Sequence, residues 1–383
     1  MPLLTTWTRC LAADRAARVF DSAENERYQK FVASLLRLTR GDGSIVLSDV
    51  AERQTAEYRR VWRAAAQLVE PRLAELLNRV VRGGKAAAQS RAKAGALPPP
   101  SANSETAGLA VLRPTWSAPR MIVDYRSPQL RIHVDRNGEP LLCGACNPLL
   151  TVDGAELTPL SRWEQTCWIV DDDVDYLELE LPLSGDVRVQ RHLMFAREDE
   201  FLFIADAVLG ELPGDLDYRM ALPLAAEVAC ESASETRETT MLIRGRRRAR
   251  VLPLALSEWR AERRRGDVRV DDGRLELRHL AVKASNLFAA WFIDLAPRRL
   301  NRPVTWRQLT VAEEREIQPD DVAVGYRVQI GSRQWLFYRS LTACGNRTLL
   351  GHNLVSEFLA ARFSRQGVPE TLIEIEAPVD VEE

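Results

Sequence analysis

The feature that most constrains the fold is a change in the spacing of apolar residues near residue 108 of the 383-residue chain. Beyond this point apolar and polar residues alternate, as in DYLELELPL, where Leu177, Leu179 and Leu181 recur at every second position. A period of two places alternate side chains on opposite faces of a β-strand. Many such segments follow, separated by turn residues, and they predict one large antiparallel β-sandwich over 108–383.

Residues 1–82 have the helical period instead. The turn residues 41–43 end one apolar helical pattern, and Asp49 followed by Glu52 fits the capping box of another helix. Residues 83–107 are small, polar and rich in proline, which predicts a linker. In the segment NLVSEFLAARF, apolar residues at helical spacing predict a C-terminal helix near 353–364. The predicted fold class is therefore α+β and mainly β.

Bulk composition excludes several classes of protein. The formal net charge is −2, so the whole chain has no general attraction to nucleic acid or to a membrane surface. The sequence has no apolar run of about 18 residues, and its start lacks the pattern of a signal peptide. Six dispersed cysteines do not resemble a disulfide-stapled scaffold. These features favour a reduced, cytoplasmic protein without a membrane partner.

One histidine draws attention within the segment SPQLRIHVDRNGEPLLCG. Alternation places His133 with Arg131 and Asp135 on the strand face opposite Ile132 and Val134. If that face meets solvent, His133 is an ordinary surface residue, and this is the interpretation that we favour. The alternative is a role in catalysis.

Four stretches resemble the heparinase II/III-like polysaccharide lyases. ETAGLAVLRPTW, SPQLRIHVDRNGEPLLCG and VQRHLMFAREDEFLFIADAV are similar to strands of the family's C-terminal sandwich, and LTRGDGSIVLSD is similar to a loop late in its α/α toroid. The resemblance implies a helical toroid remnant followed by a supersandwich, a domain that also occurs in mutarotase-like enzymes. It further implies β-elimination at uronic acids, in which a base removes the C5 proton and a tyrosine or histidine protonates the leaving oxygen.

The sequence departs from that family pattern at its chemical positions. Asp124-Tyr125-Arg126 stands where the family has histidines, and Cys143 stands where it has an aspartate. His192 matches the third metal position of the family. His192, Cys143 and Asp124 would therefore form an incomplete zinc set, and we predict no cofactor. The candidate catalytic residues are Tyr125, His133 and His192.

Two stretches are candidates for ligand binding. Arg126, beside Tyr125, could hold a carboxylate or sulfate, or it could be the exposed end of a strand. The segment RGRRRARVLPLALSEWRAERRRG holds nine arginines. It predicts either a polyanion site with an aromatic stacking platform or a solvated edge strand. No recognition motif for nucleic acid accompanies it. Its candidate binding residues are Arg246, Arg247, Arg248, Arg250 and Trp259.

Three functions remain open from the sequence. The leading hypothesis is a heparinase II/III-like pseudoenzyme that binds acidic polysaccharide or acts as an accessory protein. The second is an active polysaccharide lyase that is completed by unmatched residues or by a second chain. The third is a scaffold that binds a protein partner through its arginine-rich segment.

Overall fold

The computed structural model describes residues 2–17, 21–40, 44–46, 55–81, 97–262, 265–364 and 366–376. Three sequence predictions fall outside these residues: the turn at 41–43, the capping box of Asp49 and Glu52, and most of the linker, 83–96.

The described N-terminal residues form four helices, whose apolar faces meet around Tyr28 and Trp62. A capping box begins the second helix, Ser22–Arg37: the Asp21 carboxylate accepts from the backbone N–H of Glu24, and the Glu24 carboxylate accepts from that of Asp21. No helix in the described part of the chain is long and apolar enough to span a membrane. The helices are α1 (Pro2–Ala17), α2 (Ser22–Arg37), α3 (Thr55–Ala65) and α4 (Pro71–Val81).

Antiparallel strands make up the rest of the described chain, in four sheets that we name A to D. Sheet A contains β1 (Ala102–Ser104), β2 (Leu109–Leu112), β3 (Arg120–Asp124), β4 (Arg131–Arg136) and β5 (Glu139–Ala145), paired in chain order. Sheet B contains β6 (Pro148–Val152), β7 (Ala155–Glu156), β8 (Glu164–Val170), β9 (Val174–Leu183), β10 (Val187–Ala196), β11 (Phe201–Pro223), β12 (Val228–Ser232), β13 (Thr239–Ile243), β14 (Arg246–Pro253), β15 (Gly266–Asp271) and β16 (Arg274–Asp294).

The two remaining sheets come from the C-terminal third of the chain. Sheet C contains β17 (Val304–Leu309), β20 (Ala323–Ile330), β21 (Arg333–Ser340), β24 (Phe358–Phe363) and β25 (Pro369–Ile375). Sheet D contains β18 (Ala312–Glu313), β19 (Glu316–Ile317), β22 (Arg347–Leu349) and β23 (His352–Leu354).

The sheets stack as layers with a separate apolar core between each pair. One core joins sheets A and B, a second joins B and C, and a small third joins C and D. Alternation accounts for this arrangement, since odd and even positions of one strand enter different cores. In β9, Leu177 and Leu179 face sheet A, whereas Val174 and Tyr176 face sheet C. The predicted α+β, mainly β fold with a large antiparallel sandwich is confirmed.

The strand pair that contains His133 also forms as the sequence predicts. Strands β4 and β5 are joined by Asn137 and Gly138, whose φ angles are 54° and 80°. Positive φ at both central residues is the signature of a type I′ hairpin turn, which asparagine and glycine adopt at low cost. A β-bulge then leaves Leu141 unpaired between Val134 and Asp135, and this shift in register sets His133 opposite Cys143 rather than Leu142.

Two predicted boundaries are wrong. The C-terminal helix near 353–364 is absent: the chain there forms β23 and β24. In β24, Phe358 and Ala360 enter the core between B and C, while Leu359 and Ala361 enter the core between C and D. Because both faces are buried, the strand has no polar alternation, and its apolar run imitates a helical face. The predicted linker also extends too far, since β1 lies within 83–107 and pairs with β2.

Strand β14 carries much of the arginine-rich segment, and its two halves differ. In the described pairing, its first half, residues 246–249, pairs with β13 alone, whereas residues 250–253 pair with β16. The interpretation of this segment as a solvated edge strand therefore holds at the exposed Arg246 and Arg247 and is wrong at the buried Arg250. The pairing of β14 with β16 is not evident from the sequence, because β16 reads there as two separate apolar segments. Only the C-terminal part of β16 pairs with β14.

Candidate functional site

The face of sheet A that turns towards the helices carries a row of polar side chains. The strand register pairs Arg120 with Asp135 and Ile122 with His133, and it then pairs His133 with Cys143. Residues directly opposite each other on antiparallel strands share a face, with Cβ atoms about 4.5–5.5 Å apart. The register therefore assembles arginine, carboxylate, imidazole and thiol groups on one surface.

His133 is buried, with 1% of its surface exposed, so its predicted position on a solvated face is wrong. The alternation itself is right, because Ile132 and Val134 enter the opposite core. The error arises because Val46, from the segment after α2, packs on Ile122 and covers this face. A strand pattern gives the face of a residue but not what lies above it.

Asp135 is held by an arginine that also fastens the sheet to the helical segment. Arg120 Nε lies 2.5 Å from Asp135 Oδ2, and its Nη1 donates to the carbonyl oxygens of Arg37 at 2.7 Å and Thr39 at 2.8 Å. Burial opposes ionisation of the carboxyl, but the charges of Arg120 and His133 outweigh it and lower the pKa of Asp135 to about 2. Asp135 is therefore a carboxylate at neutral pH.

The Asp135 carboxylate in turn acts on His133. The distance from Asp135 Oδ2 to His133 Nε2 is 3.4 Å, and neither ring nitrogen completes a hydrogen bond of good geometry. Burial disfavours the imidazolium, but Asp135 and Cys143 outweigh this effect and raise the pKa of His133. His133 in turn is the largest cause that lowers the pKa of the Cys143 thiol.

A second cationic group, Arg113, extends the row beyond Arg120. Arg113 follows the end of β2 and is 8% exposed, with its guanidinium 4.9 Å from the Trp116 ring centroid. Its Nη2 donates to the Trp116 carbonyl, but Nε and Nη1 are buried without a hydrogen-bond partner. Burial, together with the nearby guanidiniums of Arg120 and Arg37, lowers the pKa of Arg113 to about 9.

We call the contact between the helical segment and sheet A the junction. Its helical side adds two more guanidiniums, both bonded to uncharged acceptors. Arg37 donates to the Pro99 carbonyl, and Arg40 donates to the Ser44 hydroxyl and the Ile45 carbonyl. We call Arg37, Arg40, Arg113 and Arg120 the junction arginines. Within the described residues, Asp135 is the one carboxylate that pairs with any of them.

The candidate residues Tyr125 and Arg126 do not form an open ligand-binding pair. Tyr125 is 2% exposed, and its hydroxyl lies 3.1 Å from both Asn103 Oδ1 and Gln165 Oε1. The Arg126 side chain is 65% exposed but already forms a bidentate pair with Asp124, at 2.9 and 2.7 Å. Asp124 is thereby occupied as an arginine partner rather than free to hold a metal.

His192 belongs to a different cluster, buried between sheets B and C. The Tyr176 hydroxyl donates to Glu178 Oε2 at 2.6 Å and lies 2.7 Å from His192 Nδ1, and Phe358 stacks on the imidazole. Burial, reinforced by Arg339, lowers the pKa of His192 well below its usual value. His192 and Tyr176 are fully buried and Glu178 nearly so, which keeps a polysaccharide from reaching them.

The predicted zinc ligands do not come together. His192 packs among aromatic rings between sheets B and C, whereas Cys143 and Asp124 lie on the helix-facing side of sheet A. Stacked sheets lie about 10 Å apart, and zinc needs ligands within about 2.3 Å. The set does not fit the metal, and the described residues contain no group of three or more side chains that could hold one.

The arginine-rich segment is divided between structural and exposed roles. Arg250 is buried and donates to the carbonyls of Leu300 and Arg302, and Arg248 pairs with Glu139. Arg246 and Arg247 are exposed. Only the exposed pair is therefore open to a ligand among these four arginines.

Trp259, the predicted stacking platform, is 46% exposed and forms a bridge to Thr236. Arg246 pairs with Ile243, at the end of the β13–β14 hairpin that is remote from Thr236. At about 3.3 Å per residue along the strand, Arg246 and Trp259 are roughly 20 Å apart. The structure thus does not join the tryptophan to the exposed arginines.

The main members of the junction are not among the residues predicted from the sequence. Arg120 and Asp135 lie on neighbouring strands at facing positions, and a correct hairpin register would have paired them. Arg37 and Arg40 come from the helical segment, and their proximity depends on how that segment docks. No local pattern carries that information.

Comparison with known proteins supports the fold. No family model and no curated protein matches the chain. A heparinase III structure matches with a TM-score of 0.52 and 14% identity over 84% of this chain and 54% of the other. Heparan sulfate lyase HepC from Pedobacter heparinus matches with a TM-score of 0.56 and 13% identity over 89% and 57%.

A further heparinase III crystal structure has a TM-score of 0.52 at 11% identity, and the match covers 89% of this chain and 59% of that one. The chain thus spans rather more than half the length of these lyases. At such identities the likeness extends to the fold alone. The chain has a heparinase-like fold, in which helices pack against one face of a layered β-sandwich.

Proposed function

We propose that the protein binds acidic polysaccharide at the junction between its helices and sheet A, and that it does not cleave the polymer. The observation that carries this proposal is the excess of positive charge: four guanidiniums gather around one paired carboxylate, Asp135, in the described structure. Sulfate and carboxylate groups are the natural partners of arginine because both accept its paired N–H donors.

The fold supports the same class of ligand. The similar solved proteins are named as heparinase III and as a heparan sulfate lyase, and heparan sulfate is an acidic, sulfated polysaccharide. Within this fold, the junction is where the side chains of the helical segment and of the sandwich meet. We therefore place the ligand beside Arg40, on the partly open side of the junction, where the buried charge of Arg113 adds to the attraction for an anionic group.

The absence of cleavage is proposed from the state of the polar groups. A general base for β-elimination must be unprotonated and within reach of the substrate. The raised pKa of His133 favours imidazolium, and the imidazole is buried. Tyr125 and His192 are buried and bonded within the protein. The active-lyase hypothesis would need other residues as its acid and base.

Heparin affinity tests the binding proposal. We expect the double variant Arg40→Gln/Arg113→Met to lose about tenfold or more in affinity, since hydrogen bonds to charged groups contribute about 1.5–3 kcal/mol each. The matched control is Arg246→Gln/Arg247→Gln, which removes the same charge from exposed positions of β14. The heparin affinity of this control should stay close to that of the unmodified protein. Neutral dextran should bind to neither variant.

Two results would count against the proposed binding site. If the control variant loses more affinity than the junction variant, the arginine-rich segment is the binding surface. If both lose equally, binding follows net charge and uses no specific site. The same samples, incubated with heparin and other uronic polysaccharides, should yield no unsaturated product in ultraviolet absorbance; such a product would revive the lyase hypothesis.

A further inference from the structure

Cys143 is an exposed thiol placed beside a buried imidazole. It lies on β5 directly opposite His133 on β4, so the two side chains share the helix-facing surface of sheet A. Its CxxC partner in sequence, Cys146, is 1% exposed and lies in the core between sheets A and B. The CxxC is therefore not a redox pair, and Cys143 acts without a resolving cysteine from that motif.

Three further groups arrange this thiol for reaction. His133 is almost fully buried and neither ring nitrogen completes a well-formed hydrogen bond. Asp135 lies 3.4 Å from His133 Nε2, and Arg120 fixes that carboxylate at 2.5 Å. A thiol, an imidazole and an oriented carboxylate form the constellation that activates a nucleophilic cysteine.

The charge around Cys143 also selects its partner. The guanidiniums of Arg40, from the helical side, and Arg131, from β4, both favour the thiolate electrostatically. Asp135 is the carboxylate that faces His133 from the same strand, and Arg120 neutralises it. An anionic reagent would thus meet a positive surface as it approaches the sulfur.

We propose that Cys143 is a reactive thiol that forms a mixed disulfide with small anionic disulfides. The Cys143 thiolate attacks one sulfur of the incoming disulfide, forms a new S–S bond and breaks the original one. The other half leaves as a thiolate and takes up a proton from the solvent or from His133. The disulfide is the oxidant, and no further reagent is needed.

The test measures the rate of modification at each cysteine by peptide mass spectrometry, with glutathione disulfide as the probe. Cys10 on α1 is a second exposed thiol and provides an internal control. At pH 7 we expect Cys143 to react about threefold or more faster than Cys10, because a larger thiolate fraction outweighs its lower intrinsic nucleophilicity. Cystamine, a cationic disulfide, should show a smaller preference for Cys143.

Two variants locate the cause of that reactivity. His133→Asn should bring the Cys143 rate down to that of Cys10, whereas His352→Asn, at an exposed position of β23, should leave it unchanged. If His133→Asn fails to fold, Arg40→Gln still tests the proposal, because it should slow the reaction with glutathione disulfide more than the reaction with cystamine.

Equal rates at Cys143 and Cys10 in the unmodified protein would overturn the assignment. So would a Cys143 rate that neither His133→Asn nor Arg40→Gln alters. The assay contains no polysaccharide, so its outcome is independent of the proposed binding function.

Discussion

Two buried arginine clusters in this molecule differ in how completely their charges are satisfied. In the core between sheets A and B, Arg191 and Asp206 face each other across β10 and β11 as a bidentate pair, at 2.6 and 2.5 Å. Tyr218 donates to Asp206, the Cys146 carbonyl accepts from Arg191, and the Trp163 ring lies 4.9 Å from the guanidinium. One cation meets one anion, with further partners on each side.

At the junction the same residue types leave a surplus. Among the residues that the structure describes, Arg120 takes the one carboxylate at the junction, Asp135, while Arg113 beside it keeps two buried nitrogens without partners. A buried cation without an anionic partner costs stability. In the proposed function an external anion balances this surplus, whereas the Arg191–Asp206 pair balances its charge within the protein. This contrast is the physical basis of the proposed binding site.

The core pair should be the more costly one to break. Asp206→Asn removes the charge that balances Arg191 at a site where both side chains are fully buried. We expect the free energy of unfolding to fall by about 3–5 kcal/mol, measured by urea denaturation. The double variant Arg191→Met/Asp206→Leu should recover much of that loss, because no unpaired charge remains. If Asp206→Asn lowers the free energy of unfolding by less than about 1 kcal/mol, the pair does not contribute substantially to the stability of this core.

The corresponding change at the junction should have a smaller effect. Asp135→Asn should lower the free energy of unfolding by about 2–3 kcal/mol, because Arg120 keeps its bonds to two carbonyls. The pKa of Asp135 is depressed to about 2, so this stabilisation is present above pH 3.8 and is lost as pH falls towards 2. Urea titrations of both proteins at pH 7 and pH 4.5 should therefore show a difference that does not shrink at the lower pH, and that grows there because the variant lacks the carboxylate that raises the pKa of His133.

The surplus of charge makes a sharper comparison possible. Adding Arg113→Met to Asp135→Asn should reduce the destabilisation, since it removes one of two adjacent cations that have lost their carboxylate. If the two effects simply add, Arg113 does not interact with the Arg120–Asp135 pair, and the junction is not one electrostatic unit.

The contrast also shows where sequence reasoning succeeds. Alternation and turn residues predict strands such as β9 and the hairpin of β4 and β5, because these depend on neighbours in sequence. The same reasoning fails at β24, where both faces are buried and alternation disappears. It fails at His133 for a related reason, since the covering segment comes from residues far away in the chain.

Candidate site residues follow the same division. Tyr125, Arg126 and His192 attracted attention because of their residue types and their place in a family pattern, yet each is occupied by contacts within the protein. The junction arginines carry no motif, because they become neighbours only when the helices dock on sheet A. Charge surplus is a property of packing, which the strand period does not encode.

The smallest expected change concerns Arg113 alone, and it distinguishes the two clusters most directly. Arg113→Met keeps the aliphatic part of the side chain and removes a buried guanidinium with two unpartnered nitrogens. We expect the free energy of unfolding to change by less than about 1 kcal/mol, or to rise, because the lost bond to the Trp116 carbonyl is offset by relief of desolvation. Removing Arg191 from the satisfied core pair should instead be strongly destabilising.

Sulfate should reveal what the unpartnered nitrogens are for. Sulfate raises the melting temperature of most proteins by exclusion from their surface, so the informative quantity is the difference between variants. If an anion occupies the junction, sulfate should raise the melting temperature of the unmodified protein more than that of Arg113→Met, because the anion binds the folded state. Arg246→Met, at an exposed position, should retain the full gain. An equal gain in all three proteins would mean that Arg113 holds no anion, and the junction would then be as self-contained as the Arg191–Asp206 pair.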